Sequence, residues 1–208
     1  MKKAKKVLAL FLAAVMLVCT TVAATVAYLT SRDAVTNTFT VGKVLIELDE
    51  TDTDGDQTAV TNNTAAGRDK ANEYKIFPGG TYDKDPIVHV LTGSEDCYVF
   101  VKVVNNLGES EVAVAELGTI EAQMLANKWA KVEGVANVWI YKGNADEKEI
   151  VNAEDDLTVF TKFAVSNTLT NDTLADLEDK TIVVNAYAVQ ADGFANKTPA
   201  EIWDAAKF

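Results

Sequence analysis

The apolar residues of this chain come in short alternating runs broken by turn residues, and that spacing restricts the chain to sheets. Cys97–Val104 is the clearest run, with Cys97, Val99, Val101 and Val103 on one face. Ile87–Leu91 and Leu157–Val165 read as further strands. Trp129–Val132 and Val138–Tyr141 flank residues 133–137, a hairpin with a longer loop. Pro78-Gly79-Gly80 is a turn. Thr181–Gln190 is apolar on both faces, which predicts a central strand covered on each side. No strand–helix–strand rhythm is present, so a parallel sheet is not expected. The expected class is all-β: a jelly-roll-like antiparallel β-sandwich with short peripheral helices and a C-terminal helix.

The helices have separate signals. Residues 113–128 are rich in helix formers, and a helix is expected near Thr119–Ala126. Asp172–Leu177 reads as one or two helical turns. Near the C-terminus Thr198 is a cap, Pro199 takes the first helical position and Glu201 completes a capping box. Ile202, Trp203, Ala206 and Phe208 are placed to dock that helix on the body. Towards the N-terminus Phe39 and Val41 alternate with Thr38 and Thr40; past Gly42 the apolar phase moves to Val44, Ile46 and Leu48. A one-residue slip at glycine predicts a bulge or a boundary between two strands. Residues 49–72, dominated by Asp, Thr, Asn and Gly, read as an acidic surface loop.

The first residues speak to location. Lys2, Lys3, Lys5 and Lys6 precede a 23-residue uncharged run, Val7–Leu29, that ends in small residues. That is the pattern of a secretory signal peptide. The expected organisation is a signal peptide over 1–27 and one β-sandwich domain over 28–208. The rival reading is a retained anchor, since the run is long enough to span a bilayer; Thr20, Thr21 and Thr25 make it a mediocre span. Cys19 follows Val18, where lipidation wants a small residue. Removing the leader leaves Cys97 as the single cysteine, so no intramolecular disulfide is available. Cys97 reads as a buried small hydrophobe, with a reactive thiol as the alternative.

Loss of the four leader lysines takes the net charge from −12 to −16. Such a chain is unsuited to nucleic acid, where a basic face supplies the attraction. It is equally unsuited to anionic lipid, so contact with a membrane is expected only through the leader before cleavage. The charge serves solubility, or holds a cation.

Little catalytic chemistry is on offer. His89 is the only histidine, which rules out a His-Glu-x-x-His zinc helix. It sits inside the apolar run Ile87–Leu91, without a nucleophile-elbow motif anywhere, and reads as a satisfied strand residue. No P-loop and no dinucleotide fingerprint occur. No catalytic residue and no cofactor are assigned. The one metal expectation is calcium at Glu50, Asp52, Asp54 and Asp56, acids at alternate positions around Gly55. The twelfth position of that loop is Thr61 rather than Glu.

Several stretches together resemble a known group. They are Ala27-Tyr28-Leu29-Thr30-Ser31, Asn37-Thr38-Phe39-Thr40-Val41-Gly42, Phe77-Pro78-Gly79-Gly80 with Lys84-Asp85-Pro86-Ile87-Val88, Asp96–Val103, Trp129–Val132 and Ala186–Phe194. In this order they resemble the TasA and camelysin (CalY) group, proteins exported with a SipW-type signal peptide in Gram-positive bacteria. The resemblance implies cleavage by a signal peptidase between Ala27 and Tyr28 and a jelly-roll fold. It also implies extracellular fibre formation in a biofilm matrix, with the mature N-terminus of one subunit given to a groove in the next. The candidate donor strand is Thr38, Phe39, Thr40 and Val41. The partners expected are further copies of the chain or related matrix subunits.

The functional expectation is a secreted, non-enzymatic structural protein of the cell surface or biofilm matrix. The alternatives are an exported camelysin-like metallopeptidase and a membrane-anchored surface binding module. The chain has no recognisable zinc ligand set, and the acidic stretch 49–72 departs from the compact TasA pattern.

Overall fold

Nine residues of Cys97–Asn105 pair without interruption against nine of Ile182–Gln190, from Cys97↔Gln190 to Asn105↔Ile182, and this ladder is the spine of the fold. The computed structural model describes Lys6, Leu12, residues 42–56 and residues 66–208. Ala27, Tyr28 and the donor residues Thr38, Phe39, Thr40 and Val41 lie outside the described residues, as does the leader apart from Lys6 and Leu12. The chain divides into two units, Met1–Thr40 and Val41–Phe208, and the elements below belong to the second.

Eleven strands and three α-helices follow in order among the described residues. The strands are β1 (Ile46–Thr51), β2 (Arg68–Asp69), β3 (Thr81–Asp83), β4 (Ile87–Val90), β5 (Cys97–Asn105) and β6 (Glu111–Val112). The rest are β7 (Trp129–Lys131), β8 (Val138–Tyr141), β9 (Asp156–Thr158), β10 (Lys162–Val165) and β11 (Ile182–Gln190). The helices are α1 (Ile120–Ala126), α2 (Asn171–Ala175) and α3 (Pro199–Ala206). Three antiparallel sheets result, ordered β2-β1-β4-β9, β3-β10-β6 and β11-β5-β8-β7. The expected all-β class is what the chain adopts.

Period-2 alternation decides the core. Cys97, Val99, Val101 and Val103 all face one apolar cluster, which Val88 and Val90 of β4 and Leu157 of β9 enter from the opposing sheet. The other face of β5 carries Tyr98 and Phe100, which with Ile140 form a second cluster closed by the fully buried Ile202 of α3. The capping box forms as the sequence predicts. The Thr198 hydroxyl accepts from Glu201 N at 3.3 Å, and Glu201 Oε2 accepts from Thr198 N at 2.8 Å. Trp203 and Phe208 pack on Phe100 and Tyr187. Among the described residues no helix is long and apolar enough to cross a membrane.

Three expectations change. First, β11 is an edge strand rather than a central one, pairing only with β5 among the described residues. Its two apolar faces reflect coverage by the main core on one side and α3 on the other. Periodicity reports covered faces, not paired edges. Second, Leu157–Val165 is two strands in different sheets. The chain turns at Val159 and Phe160, both fully buried, and the Gln123 side-chain Oε1 holds the turn by accepting from Thr161 N (3.0 Å) and Lys162 N (3.2 Å). Third, the stretch 49–72 is not one solvated acidic loop. It contains the end of β1 and all of β2, paired Glu50↔Asp69. Asp49, Glu50 and Asp69 are buried.

Candidate functional site

A groove of about 1500 Å³ runs beside β11. One wall is β11 from Ile182 to Tyr187, and another is β1 from Ile46 to Glu50. Leu107, Phe163 and Leu177 supply apolar surface between them. Among the described residues, both walls are strands with an incompletely paired edge. β1 meets β4 on one side, while β2 takes up only Glu50 and Thr51 on the other. An unpaired edge presents backbone N–H and C=O groups to whatever enters. The β11 wall, six residues long, offers about 20 Å of edge at roughly 3.3 Å per residue.

The β1 wall is charged. Its sequence Ile46-Glu47-Leu48-Asp49-Glu50 carries three acids, all buried, and a buried acid needs a cation. Each acid has one. Lys70 Nζ is 2.9 Å from Glu47, Lys84 Nζ is 2.6 Å from Glu50, and the Arg68 Nε donates to Asp49. Arg68 also reaches Asp85 Oδ2 at 3.1 Å and the carbonyls of Asp49 (3.2 Å) and Asp85 (3.1 Å). Burial opposes its charge, but these carboxylates outweigh it and raise the guanidinium pKa further. Burial alone would also raise the Asp85 carboxyl. Hydrogen bonds from Thr51 N and Oγ1, with Arg68, hold it below its ordinary value.

Next to this lies Asn72, whose amide is completely engaged. Its Nδ2 donates to Glu50 Oε1 (3.0 Å), the Thr51 carbonyl (2.9 Å) and Asp69 Oδ1 (3.3 Å). Its Oδ1 accepts from Thr53 N (2.6 Å) and Thr53 Oγ1 (2.8 Å). The Tyr74 ring lies 6.0 Å from Lys84 Nζ. Burial, then the Glu50 charge, pushes the Tyr74 phenol well above its ordinary pKa.

The four acids expected to hold calcium are not brought together. Glu50 is withdrawn into the Lys84–Asn72 contacts. Asp52 and Asp54 instead meet Asp69, with one oxygen from each within 4.8 Å of the others. Asp56 is outside that group. Asp54 Oδ2 accepts from Glu73 N at 2.6 Å, and this bond above all holds its carboxyl below the usual value. Asp52 Oδ1 accepts from Gly55 N at 2.6 Å, a turn that Gly55 permits with φ +85°.

His89 is held by two carboxylates, with Nδ1 2.6 Å from Asp156 and Nε2 3.1 Å from Asp49. Neither ring nitrogen is left to serve a nucleophile. Cys97 is fully buried, and burial, then the nearby Asp96 and Asp155, pushes its thiol up to about 11. A thiol so placed is inert.

Arg68, Asp69, Asn72 and Lys84 were not singled out by sequence. The alternation in β1 signals acids facing solvent, whereas the fold buries Glu47, Asp49 and Glu50 and so demands cations from elsewhere in the chain. Nothing in the spacing says which lysine or arginine answers. No family model, no curated protein and no solved structure matches the chain. What its geometry defines is a class: an antiparallel β-sandwich with an open-edged groove and a buried charged wall.

Proposed function

We propose that the chain is a secreted structural protein of the cell surface or biofilm matrix, whose subunits join by donor-strand exchange into fibres. The observation that carries this reading is the groove between the edges of β1 and β11. β-Augmentation needs an exposed edge for main-chain bonds and an apolar surface for alternate side chains; the edge of β11 and the groove lined by Leu107, Phe163 and Leu177 support this reading. The mature N-terminal segment, residues 28–41, with Phe39 and Val41 alternating, supplies the complementary strand. Jelly-roll strand order, export through the leader and cleavage between Ala27 and Tyr28 belong to the same reading and rest on the TasA-like resemblance. The engagement of His89 by Asp49 and Asp156 weighs against the metallopeptidase alternative, which would need that ring free.

Calcium stays a proposal for Asp52 and Asp54, with Asp69 replacing Glu50 in the set. Three carboxylates at this separation repel one another, and a divalent cation would relieve the repulsion.

The test is to purify the protein from culture medium, determine its first residue and image the same sample by negative-stain electron microscopy. A start at Tyr28 with regular fibres is expected. A start at Tyr28 with monodisperse particles would sink the donor-exchange part. An uncut chain found only in membranes would favour the anchored binding module instead.

A further inference from the structure

We infer that Lys84 and Asn72 form an intramolecular isopeptide bond, with Glu50 as the proton carrier. The inference is independent of how subunits assemble. Its basis is a triad of unusual composition, buried at Lys84 and Glu50 and half-buried at Asn72: an amine, a carboxamide and one carboxylate that touches both. Glu50 Oε2 is 2.6 Å from Lys84 Nζ, and Glu50 Oε1 is 3.0 Å from Asn72 Nδ2. One carboxylate therefore holds the nucleophile and the leaving group side by side. Lys84 is 9% exposed and Glu50 5% exposed, so both are largely withdrawn from water although they line the groove. A simple buried ion pair needs only the lysine and the acid. The carboxamide is the part that such a pair does not explain.

The surroundings of Asn72 match the chemistry of acyl transfer. Its Oδ1 accepts two hydrogen bonds, from Thr53 N at 2.6 Å and Thr53 Oγ1 at 2.8 Å. These donors polarise the carbonyl and are placed to hold the oxyanion of a tetrahedral intermediate. The Thr51 carbonyl, 2.9 Å from Nδ2, steadies the departing nitrogen as it gains protons. Held together by the fold, the groups react as one unit without a diffusional encounter.

The step balances without any oxidant or co-reactant. Lys84 Nζ gives a proton to Glu50, and its freed electron pair attacks Asn72 Cγ, forming a C–N bond and an oxyanion at Oδ1. Glu50 passes the proton to Nδ2. The carbonyl re-forms, the Cγ–Nδ2 bond breaks and the nitrogen leaves as ammonia. The second proton from Nζ then passes through Glu50 to the freed ammonia, giving ammonium. The chain becomes lighter by one ammonia, and the segment after β2 is tied to the segment after β3.

Peptide mass spectrometry of the trypsin-digested protein tests this. Trypsin releases Ala71–Lys75 and cuts after Lys84 in the unlinked chain. The expected product is Ala71–Lys75 joined to Ile76–Lys102, uncut at Lys84 and one ammonia lighter than the sum. Glu50→Gln keeps the size but cannot carry the proton, and should yield the three unlinked peptides, Ala71–Lys75, Ile76–Lys84 and Asp85–Lys102. Lys84→Arg keeps the charge without the nucleophile and should do the same, so the test survives if one variant fails to fold. Full-mass peptides with cleavage after Lys84 in the wild type would overturn the inference. Loss of water instead of ammonia would overturn Asn72 as the acyl partner, because it would place the bond on a carboxylate.

Discussion

His89 and Asp156 face each other across the β4–β9 pair, with Nδ1 2.6 Å from Oδ1. On its other side the same ring meets Asp49, which Arg68 also engages. Glu47 is its register partner on β1, and Glu154 lines the same shallow pocket. Burial alone would lower the imidazole pKa. The bonds to Asp156 and Asp49 outweigh it and raise the value above 6.5. A raised folded pKa stabilises below the unfolded value and loses that effect as pH rises through the folded one. Stability towards urea should therefore fall as pH rises above about 6.5, the ordinary histidine value. The fall should vanish in His89→Gln. An equal decline in that variant would mean that another group is titrating.

Much of this fold was open to reading from the chain, for identifiable reasons. Cys97, Val99, Val101 and Val103 form one buried face because alternation is a local property. The α3 cap at Thr198 and Glu201 was equally local. The edge position of β11 was not, because α3, packed from later in the chain, gives an edge strand two covered faces. The split between β9 and β10 was hidden because Val159 and Phe160 continue the apolar run through the turn. At the charged wall, the burial of Glu47, Asp49 and Glu50 was not legible, because acids beside alternating apolar residues read as a solvent face. The cations Arg68 and Lys84 come from segments whose return to β1 depends on pairing that spacing does not encode.

The second prediction concerns α3. Ile202 is fully buried against Tyr98, Phe100 and Ile140. Ile202→Ala removes that packing and leaves a cavity, costing about 2–5 kcal/mol of unfolding free energy. Thr198→Ala removes only the cap, at about 1 kcal/mol. Urea titrations of the two variants should rank in that order. A larger effect from Thr198→Ala would show that helix initiation, not docking, holds α3.

Calcium binding has a thermal signature. A cation held by Asp52, Asp54 and Asp69 stabilises the folded chain in proportion to the logarithm of its concentration. The melting temperature should rise with added calcium and fall back with chelator. Asp54→Asn should blunt the rise. The same melting temperature in calcium and in chelator would remove metal from the account of this loop.

Val183 separates assembly from folding. It lines the groove, yet is 40% exposed, so a polar residue there costs the isolated subunit little. If residues 28–41 of a neighbour occupy the groove, Val183 is covered only in the fibre. Val183→Asp then loses the burial of one valine, about 1.5 kcal/mol or more, and sets a charge against the incoming strand. That is roughly tenfold in subunit affinity. The variant should melt within a few degrees of the wild type while its fibre yield drops severalfold at equal concentration. A synthetic peptide of residues 28–41 should protect the β11 amides from hydrogen exchange in the wild type and do so less well in the variant. Fibres undiminished in Val183→Asp would place the subunit junction elsewhere on the sandwich.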